Sequence, residues 1–305
     1  MRAIVIKEFG GPEALEVAEV PVPEAGPGEV RIRVEAVALN PVDLLTASGF
    51  FVELGRLPQA PVYGVGWDVA GVVDAVGEGV TGHAPGDRVI AMSDQLGRAP
   101  GVQAEYAVLP EAHLAPFPAG VTAPEAASLP LNASTADQAL DLMALPEGAS
   151  LLVTGAAGGV GGYAVELGKA RGLRVVATAG AADEGVVRGF GAAEFIPRGQ
   201  SLTTYGQVDG VLDAAMVGAE ALAATRDGGA FVAVNGNVVP TAERGIHTHF
   251  VQVTANGPRL AELAALVAKG ELSVRVAEVF SFDQVTAAYE RLAAGGYRGR
   301  VVLVP

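Results

Sequence analysis

Val153-Thr154-Gly155-Ala156-Ala157-Gly158-Gly159-Val160-Gly161-Gly162, followed by residues 163–172 and then Leu173-Arg174-Val175-Val176-Ala177-Thr178, is the stretch from which the fold is read. Ahead of it, residues 149–154 are an apolar run too short for a helix, so they read as a buried parallel strand. Behind it, Val160, Ala164, Leu167 and Ala170 recur every three to four residues and give a helix one apolar face. Gly172 stops that helix, and residues 173–177 form a second strand. Gly155, Gly158 and Gly161 have the spacing that a tight turn, backbone approach to a pyrophosphate and close packing of helix on strand each require. The free amides of the first helical turn then face the phosphates. In a chain with 41 glycines such a spacing also arises by chance, and it is the flanking strands and helix that give it meaning. The expected cradle is Gly155, Ala157, Gly158, Gly159, Val160 and Gly161.

Composition narrows the function. At 305 residues, half of them hydrophobic, the chain can bury the cores of two domains. A net charge of −14 repels nucleic-acid phosphates and acidic membrane surfaces, so neither is an expected partner. With no cysteine, a thiolate metal site, a disulfide and a cysteine nucleophile are all excluded. Residues 1–6 lead straight into a strand pattern, and no apolar run reaches about 18 residues; a soluble, cytoplasmic protein is expected.

The remaining chain falls into two textures. Residues 3–6, 15–20, 30–38, 68–76, 88–92 and 104–109 read as short strands separated by Gly and Pro turns, the pattern of a β-barrel or sandwich. Thr122-x-x-Glu125 is a capping box, followed by a helical stretch over 133–145. Strands at 149–154, 173–178, 193–196, 208–213 and 229–235 then alternate with helices, the mark of an α/β doubly wound parallel sheet. Residues 247–253 are a possible sixth strand. Pro258 opens a long amphipathic helix through Lys269, Ser281-x-x-Gln284 is a second capping box, and residues 300–304 are a last strand.

Gly10-Gly11-Pro12-Glu13, Gly26-Pro27-Gly28-Glu29-Val30, Ala38-Leu39-Asn40-Pro41-Val42-Asp43, residues 66–73, Pro85-Gly86-Asp87-Arg88-Val89, the glycine turn and Arg298-Gly299-Arg300-Val301-Val302-Leu303 together resemble the quinone oxidoreductases, the zinc-free branch of the medium-chain dehydrogenase/reductase superfamily. The resemblance implies a GroES-like β-domain at residues 1–121 and 258–305, a Rossmann domain at 122–257, an active-site cleft at their junction and a homodimer joined through an edge strand over 246–253. Zinc-dependent relatives place a Cys in the region of Asn40 and a His and Glu near Trp67 and Asp68; neither set is present, so no metal is expected. His247 and His249 share a face in a strand and read as a polar edge without a third ligand.

An NAD-binding domain ends its second strand in Asp or Glu. Here the strand ends Thr178-Ala179-Gly180, which tolerates a 2′-phosphate and points to NADPH over NADH. At the position of the family's usual lysine stands Asp183-Glu184-Gly185, and its tyrosine position reads Pro197; Arg188 or Arg198 is the substitute cation, with a solvated surface charge as the other reading of each. Without a metal or a catalytic tyrosine, a quinone or α,β-unsaturated carbonyl is the expected acceptor, because conjugation spreads the charge that arrives with hydride. By family position, Asn40 donates an amide hydrogen bond near the nicotinamide ribose or the substrate carbonyl, and Thr135 contacts the cofactor near nicotinamide. Asp213, Val234, Asn235, Phe250 and Val251 follow strand ends where the cofactor crosses the sheet. Phe50, Phe51, Tyr63 and Trp67 are candidates to line an apolar acceptor site, since Leu44 and Leu45 stand where many relatives carry a tyrosine. Two other readings remain: a nucleotide-binding redox sensor or structural protein with little turnover, and an enoyl-thioester reductase.

Overall fold

In the computed structural model, which describes residues 1–305, the chain starts with β1 (Arg2–Ile6) and β2 (Leu15–Glu19). It continues through β3 (Glu29–Ala38), α1 (Pro41–Ala47), α2 (Phe50–Glu53), β4 (Tyr63–Gly64), β5 (Asp68–Val76), β6 (Arg88–Met92), β7 (Tyr106–Pro110), β8 (Leu114–Pro116) and α3 (Ala123–Ala127). β3 shows why these are strands: buried Val30, Ile32 and Val34 alternate with Arg31 and Arg33, the period of a sheet with one wet face. The alternation puts Arg31 outside, where its Nε donates to Asp74 at 2.7 Å.

Next come α4 (Pro130–Met143), β9 (Ser150–Thr154), α5 (Gly159–Ala170), β10 (Arg174–Ala179), α6 (Glu184–Phe190), β11 (Glu194–Pro197), β12 (Val208–Asp213), α7 (Ala219–Ala223), β13 (Thr225–Ala233) and β14 (His247–Phe250). β9 through β14 form one six-stranded parallel sheet in the order β11-β10-β9-β12-β13-β14. β9, at the point where the order reverses, is buried at all five positions, as a strand covered on both faces must be. Crevices for ligands open beyond the C-terminal ends of such strands at this reversal.

The chain closes with α8 (Gly257–Ala268), β15 (Val276–Ser281), α9 (Val285–Ala294) and β16 (Arg300–Val304). β16 pairs antiparallel with β3 through Val302–Ala38 and Leu303–Val37, so the last strand joins the sheet β15-β16-β3-β5-β6-β8, with β7 on the other part of β3. β1, β2 and β4 make a separate three-stranded antiparallel sheet. No helix is long and apolar enough to cross a membrane.

The backbone divides into one unit of Met1–Leu131, Thr254–Gly270 and Val274–Pro305 and another of Asn132–Val253 and Glu271–Ser273. The expected boundaries at 121/122 and 257/258 therefore shift, and packing supplies the reason. The capping box at Thr122 forms, its N–H and hydroxyl both donating to Glu125 at 2.7 and 2.8 Å, but the helix it starts packs on β3 and β5 of the first unit. α8 likewise packs on β8, so closely that a Cβ at Gly257 would stand 2.3 Å from the Leu114 carbonyl oxygen. Residues 271–273 join the second unit because Glu166 on α5 accepts from the Ser273 N–H and hydroxyl at 3.2 and 2.5 Å. Five elements missing from the sequence reading, α1, α2, β4, β8 and β15, are short or lie beside glycine and proline, where periodicity gives little signal.

Candidate functional site

The glycine stretch forms the tight turn and the close helix packing that its spacing predicts. β9 ends at Thr154; Gly155 turns the chain at a φ of +63°, which favours glycine, and the Gly158 N–H donates back to its carbonyl at 2.8 Å. α5 begins one residue later at Gly159 with no side chain capping its N-terminus, so its first amides are left for a ligand. A Cβ at Gly161 would lie 2.2 Å from the Gly155 carbonyl oxygen. Only glycine lets the helix approach the turn this closely. Gly158 is exposed, and Ala157, Gly159 and Val160 remain half-open beside it. A backbone cradle with an uncapped helix start fits a pyrophosphate.

The neighbouring strand separates the two arginines. Thr178 is buried, its carbonyl accepting from the Ala156 N–H at 3.1 Å, and Ala179 and Gly180 complete the strand end. The backbone N–H of Arg198 donates to the Ala179 carbonyl at 2.7 Å, which roots this exposed arginine at the C-terminal edge of the sheet, beside the end of β10. Arg188 is elsewhere: its Nε donates to Glu184 at 2.8 Å and its Nη1 to the Ala193 carbonyl at 3.2 Å. Ala193 bonds in turn to Val175, at the start of the strands, so Arg188 serves the opposite edge from Gly180.

Asp213 also departs from its expected part. Fully buried, it accepts from the Thr154 hydroxyl at 2.7 Å, the Val217 N–H at 3.1 Å and the Gly218 N–H at 2.8 Å. Both oxygens are engaged in shaping the loop after β12, in which Thr154 also accepts from the Ala215 N–H at 2.9 Å. Asp213 therefore braces the loop after β12 with both of its oxygens engaged. Thr154 and the 214–218 loop, with Met216 at a φ of +59° and 54% exposed, were not singled out in the sequence; the positive φ of a non-glycine residue appears only in three dimensions. Val234 donates to the Asp213 carbonyl at 3.3 Å, and Asn235 accepts from the Asn237 N–H at 2.9 Å. Phe250 is half-buried over Gly236, and Val251 is buried, its N–H on the Ala233 carbonyl at 3.0 Å. Thr135 lies buried in α4.

In the first unit a buried polar cluster surrounds Asn40. Its Nδ2 donates to Asp68 at 2.8 Å and to the Ala38 carbonyl at 3.2 Å, while its Oδ1 accepts from Arg300 Nη2. A carboxylate on one side and a guanidinium on the other fix which end of the amide is which. This corrects the expectation for Asn40: both amide hydrogens are engaged within the protein and the residue is 1% exposed, so neither is available to a ribose or a carbonyl. Arg300 Nη2 also reaches the Leu39 carbonyl and, at 3.5 Å, Asp68, whose other oxygen accepts from the Leu131 N–H at 2.5 Å. Asp43 accepts from the Asn40 N–H at 2.9 Å, the Gly66 N–H at 3.2 Å and Gln103 Nε2 at 3.1 Å. Tyr289 donates to Gln103 Oε1 at 2.8 Å.

Burial dominates the electrostatics of this cluster. It pushes Asp43 up to about 7, with the Asn40 N–H opposing and the Asp68 charge assisting. It raises Asp68 against the pull of Arg300 and the Asn40 amide. It lifts Tyr289 well above the usual phenol range. These donors do not fit a zinc ion. Where relatives carry ligands, this chain has an amide engaged by a guanidinium and a carboxylate already paired with it, and no group of three His, Asp or Glu side chains is assembled. His247 and His249 stand exposed on one face of β14, the last strand of its sheet.

Of the aromatic candidates, Phe50 and Phe51 are half-buried on α2 with their rings edge to face at 5.4 Å, and Trp67 is half-buried. Tyr63 is corrected to a structural part: 3% exposed, its hydroxyl donates to the Pro58 carbonyl at 3.2 Å and accepts from the Ala60 N–H at 2.9 Å, closing the turn before β4.

Residues 26–119 match the alcohol dehydrogenase GroES-like domain, and residues 182–303 match the family described as zinc-binding dehydrogenase. Over 317 aligned residues the chain is 34% identical to the chloroplastic NADPH-dependent alkenal/one oxidoreductase of Arabidopsis thaliana, covering 100% of this chain and 80% of that protein. It is 32% identical to the 2-methylene-furan-3-one reductase of Solanum lycopersicum, with 100% and 79% covered. The solved quinone oxidoreductase from Coxiella burnetii superposes with a TM-score of 0.88 at 27% identity, covering 100% of this chain and 99% of that one. With the glycine turn, the six-stranded order and these matches along the chain, the protein belongs to the quinone oxidoreductase branch of the medium-chain dehydrogenase/reductase superfamily, a family of oxidoreductases.

Proposed function

We propose that this protein is an NADPH-dependent oxidoreductase that passes a hydride to a quinone or an α,β-unsaturated carbonyl without a metal ion. The observation that carries the reading is the cradle at Gly155–Gly161 set against β10, which ends in Thr178 and Ala179 and is followed by Gly180, with no carboxylate there and with Arg198 anchored next to it. Bound dihydronicotinamide supplies the hydride. An enone takes it at the β-carbon and a proton from water at the α-carbon, and between these events its carbonyl oxygen carries the negative charge. The chain's own work is to hold the pyrophosphate at the uncapped start of α5, to neutralise a 2′-phosphate with Arg198, and to exclude water with half-buried side chains such as Phe50, Phe51 and Trp67. The names of two relatives, an alkenal/one oxidoreductase and a furanone reductase, support the acceptor class. The unpaired edge of β14 supports a homodimer joined along that strand.

The test is the loss of NADPH absorbance by chelator-treated protein with a quinone or a short enone, NADH being run in parallel. Turnover with NADPH preferred is expected; saturable NADPH binding without acceptor-dependent turnover refutes the reading and leaves a nucleotide-binding sensor. R198A is expected to weaken NADPH binding by roughly 10–100-fold while NADH is spared, the value of a charge-assisted hydrogen bond, and R188A to change neither.

A further inference from the structure

Hydride delivery to an enone places charge on the carbonyl oxygen, and a donor aimed at that oxygen is what accelerates the step. Asn40 is the residue that family position suggests, but its two amide hydrogens are held by Asp68 and the Ala38 carbonyl. A second asparagine in the chain is in the opposite condition. Asn132, in the first turn of α4, is 5% exposed, and its Nδ2 is buried with no hydrogen-bond partner. A buried amide without a partner destabilises a fold, and an alkyl side chain of the same volume would pack there without that penalty. No task within the helix calls for the amide: the neighbouring Leu131 N–H, at the same helix start, is answered by Asp68 at 2.5 Å. Asn132 also lies three residues before Thr135, so the two share one face of α4, and Thr135 is 7% exposed. A half-turn about χ2 exchanges the carbonyl and amino ends of the Asn132 amide, so either end of the side chain can present the two N–H donors.

We infer that Asn132 is a catalytic residue whose amide donates a hydrogen bond to the carbonyl oxygen of the acceptor, an assignment that rests on the proposed enone and quinone reduction. The donor acts most strongly when the oxygen is charged, so its effect falls on turnover more than on binding. It matters more for an enone, whose single carbonyl takes most of the charge, than for a quinone, which spreads it over two.

The test compares N132L and N132A with the wild type in NADPH-dependent turnover of a short enone and of a quinone, together with NADPH titration and thermal melting. The expected result is a loss of about 100-fold in kcat/KM for the enone, mostly in kcat, within the range found for removing one oxyanion donor. The loss for the quinone should be under about 10-fold, NADPH affinity should stay within about twofold, and Tm of N132L should be unchanged or higher, as follows when an unpartnered buried amide is replaced. Enone kinetics within about threefold of wild type in both variants overturn the inference, and so do equal losses on the two acceptors. An amide served by an internal water predicts unchanged kinetics with a lower Tm for N132L, which also overturns it; N132A covers the case in which leucine does not fit. A wild type that turns over neither acceptor instead refutes the proposed function, and this inference with it.

Discussion

Replacing Arg300 with methionine tests how the buried cluster of the first unit is held together. The guanidinium is 7% exposed and reaches the Leu39 carbonyl, the Asn40 amide oxygen and Asp68 through one nitrogen, Nη2. Asp68 is 1% exposed, so water does not replace the lost cation. Removing one member of such a pair leaves a buried charge uncompensated, a loss of about 3–5 kcal/mol against a total stability of about 5–15 kcal/mol. The sign with pH follows from Asp68, which burial already raises and which Arg300 pulls down. Without Arg300 its folded pKa climbs further above the unfolded value, so the penalty on the ionised form is largest at high pH and is relieved as Asp68 takes up a proton. The gap between R300M and wild type in urea unfolding should therefore narrow as pH falls and Asp68 takes up its proton. R300K should behave differently. An ammonium carries three hydrogens on one nitrogen, enough for the three acceptors now served by Nη2, and it lacks the Arg300 Nε, which is buried without a partner. R300K should stay within about 1 kcal/mol of wild type. A gap under about 1 kcal/mol for R300M, a gap that does not change with pH, or equal damage from lysine and methionine would refute the reasoning.

Two further outcomes follow from the same geometry. G161A sets a Cβ 2.2 Å from the Gly155 carbonyl oxygen, so α5 must move off the turn; NADPH affinity in a fluorescence titration should fall by roughly 10–100-fold, the equivalent of about 1–3 kcal/mol of overpacking, and an unchanged affinity would remove Gly161 from the cradle. D43N addresses the carboxyl that burial raises to about 7: between its unfolded and folded values the native state holds a proton that the unfolded chain has lost, so its contribution is fully present below about pH 4 and lost by about pH 7. Wild-type stability should fall relative to D43N as pH rises through that window, and a difference that stays flat by urea titration would show that Asp43 does not titrate there.

Much of the architecture is legible in the chain because its causes are local. The glycine turn, the five strands of the parallel sheet that alternate with helices, and the capping boxes at Thr122 and Ser281 depend on residues within a few positions of one another. Glycine spacing likewise announces the turn and the close helix packing, since the conformation at Gly155 and the close approach at Gly161 are demands on single residues. Partner choice among polar side chains is a different matter. Asn40 meets Arg300 across 260 positions, Thr154 meets Asp213 across 59, and Gln103 meets Tyr289 across 186. In sequence, Asn40 and Asn132 are two amides with equal capacity to donate; the packing of β5 and β16 engages the first and leaves the second without a partner. Arg188 and Arg198 are two arginines near one strand, separated only by the edge of the sheet to which each is tied. A hydrogen bond is decided by distances of about 3 Å between groups that only the tertiary fold brings together, so the sequence determined the scaffold and its glycine turn, and the tertiary structure decided which polar side chains are engaged within the fold and which are left without a partner.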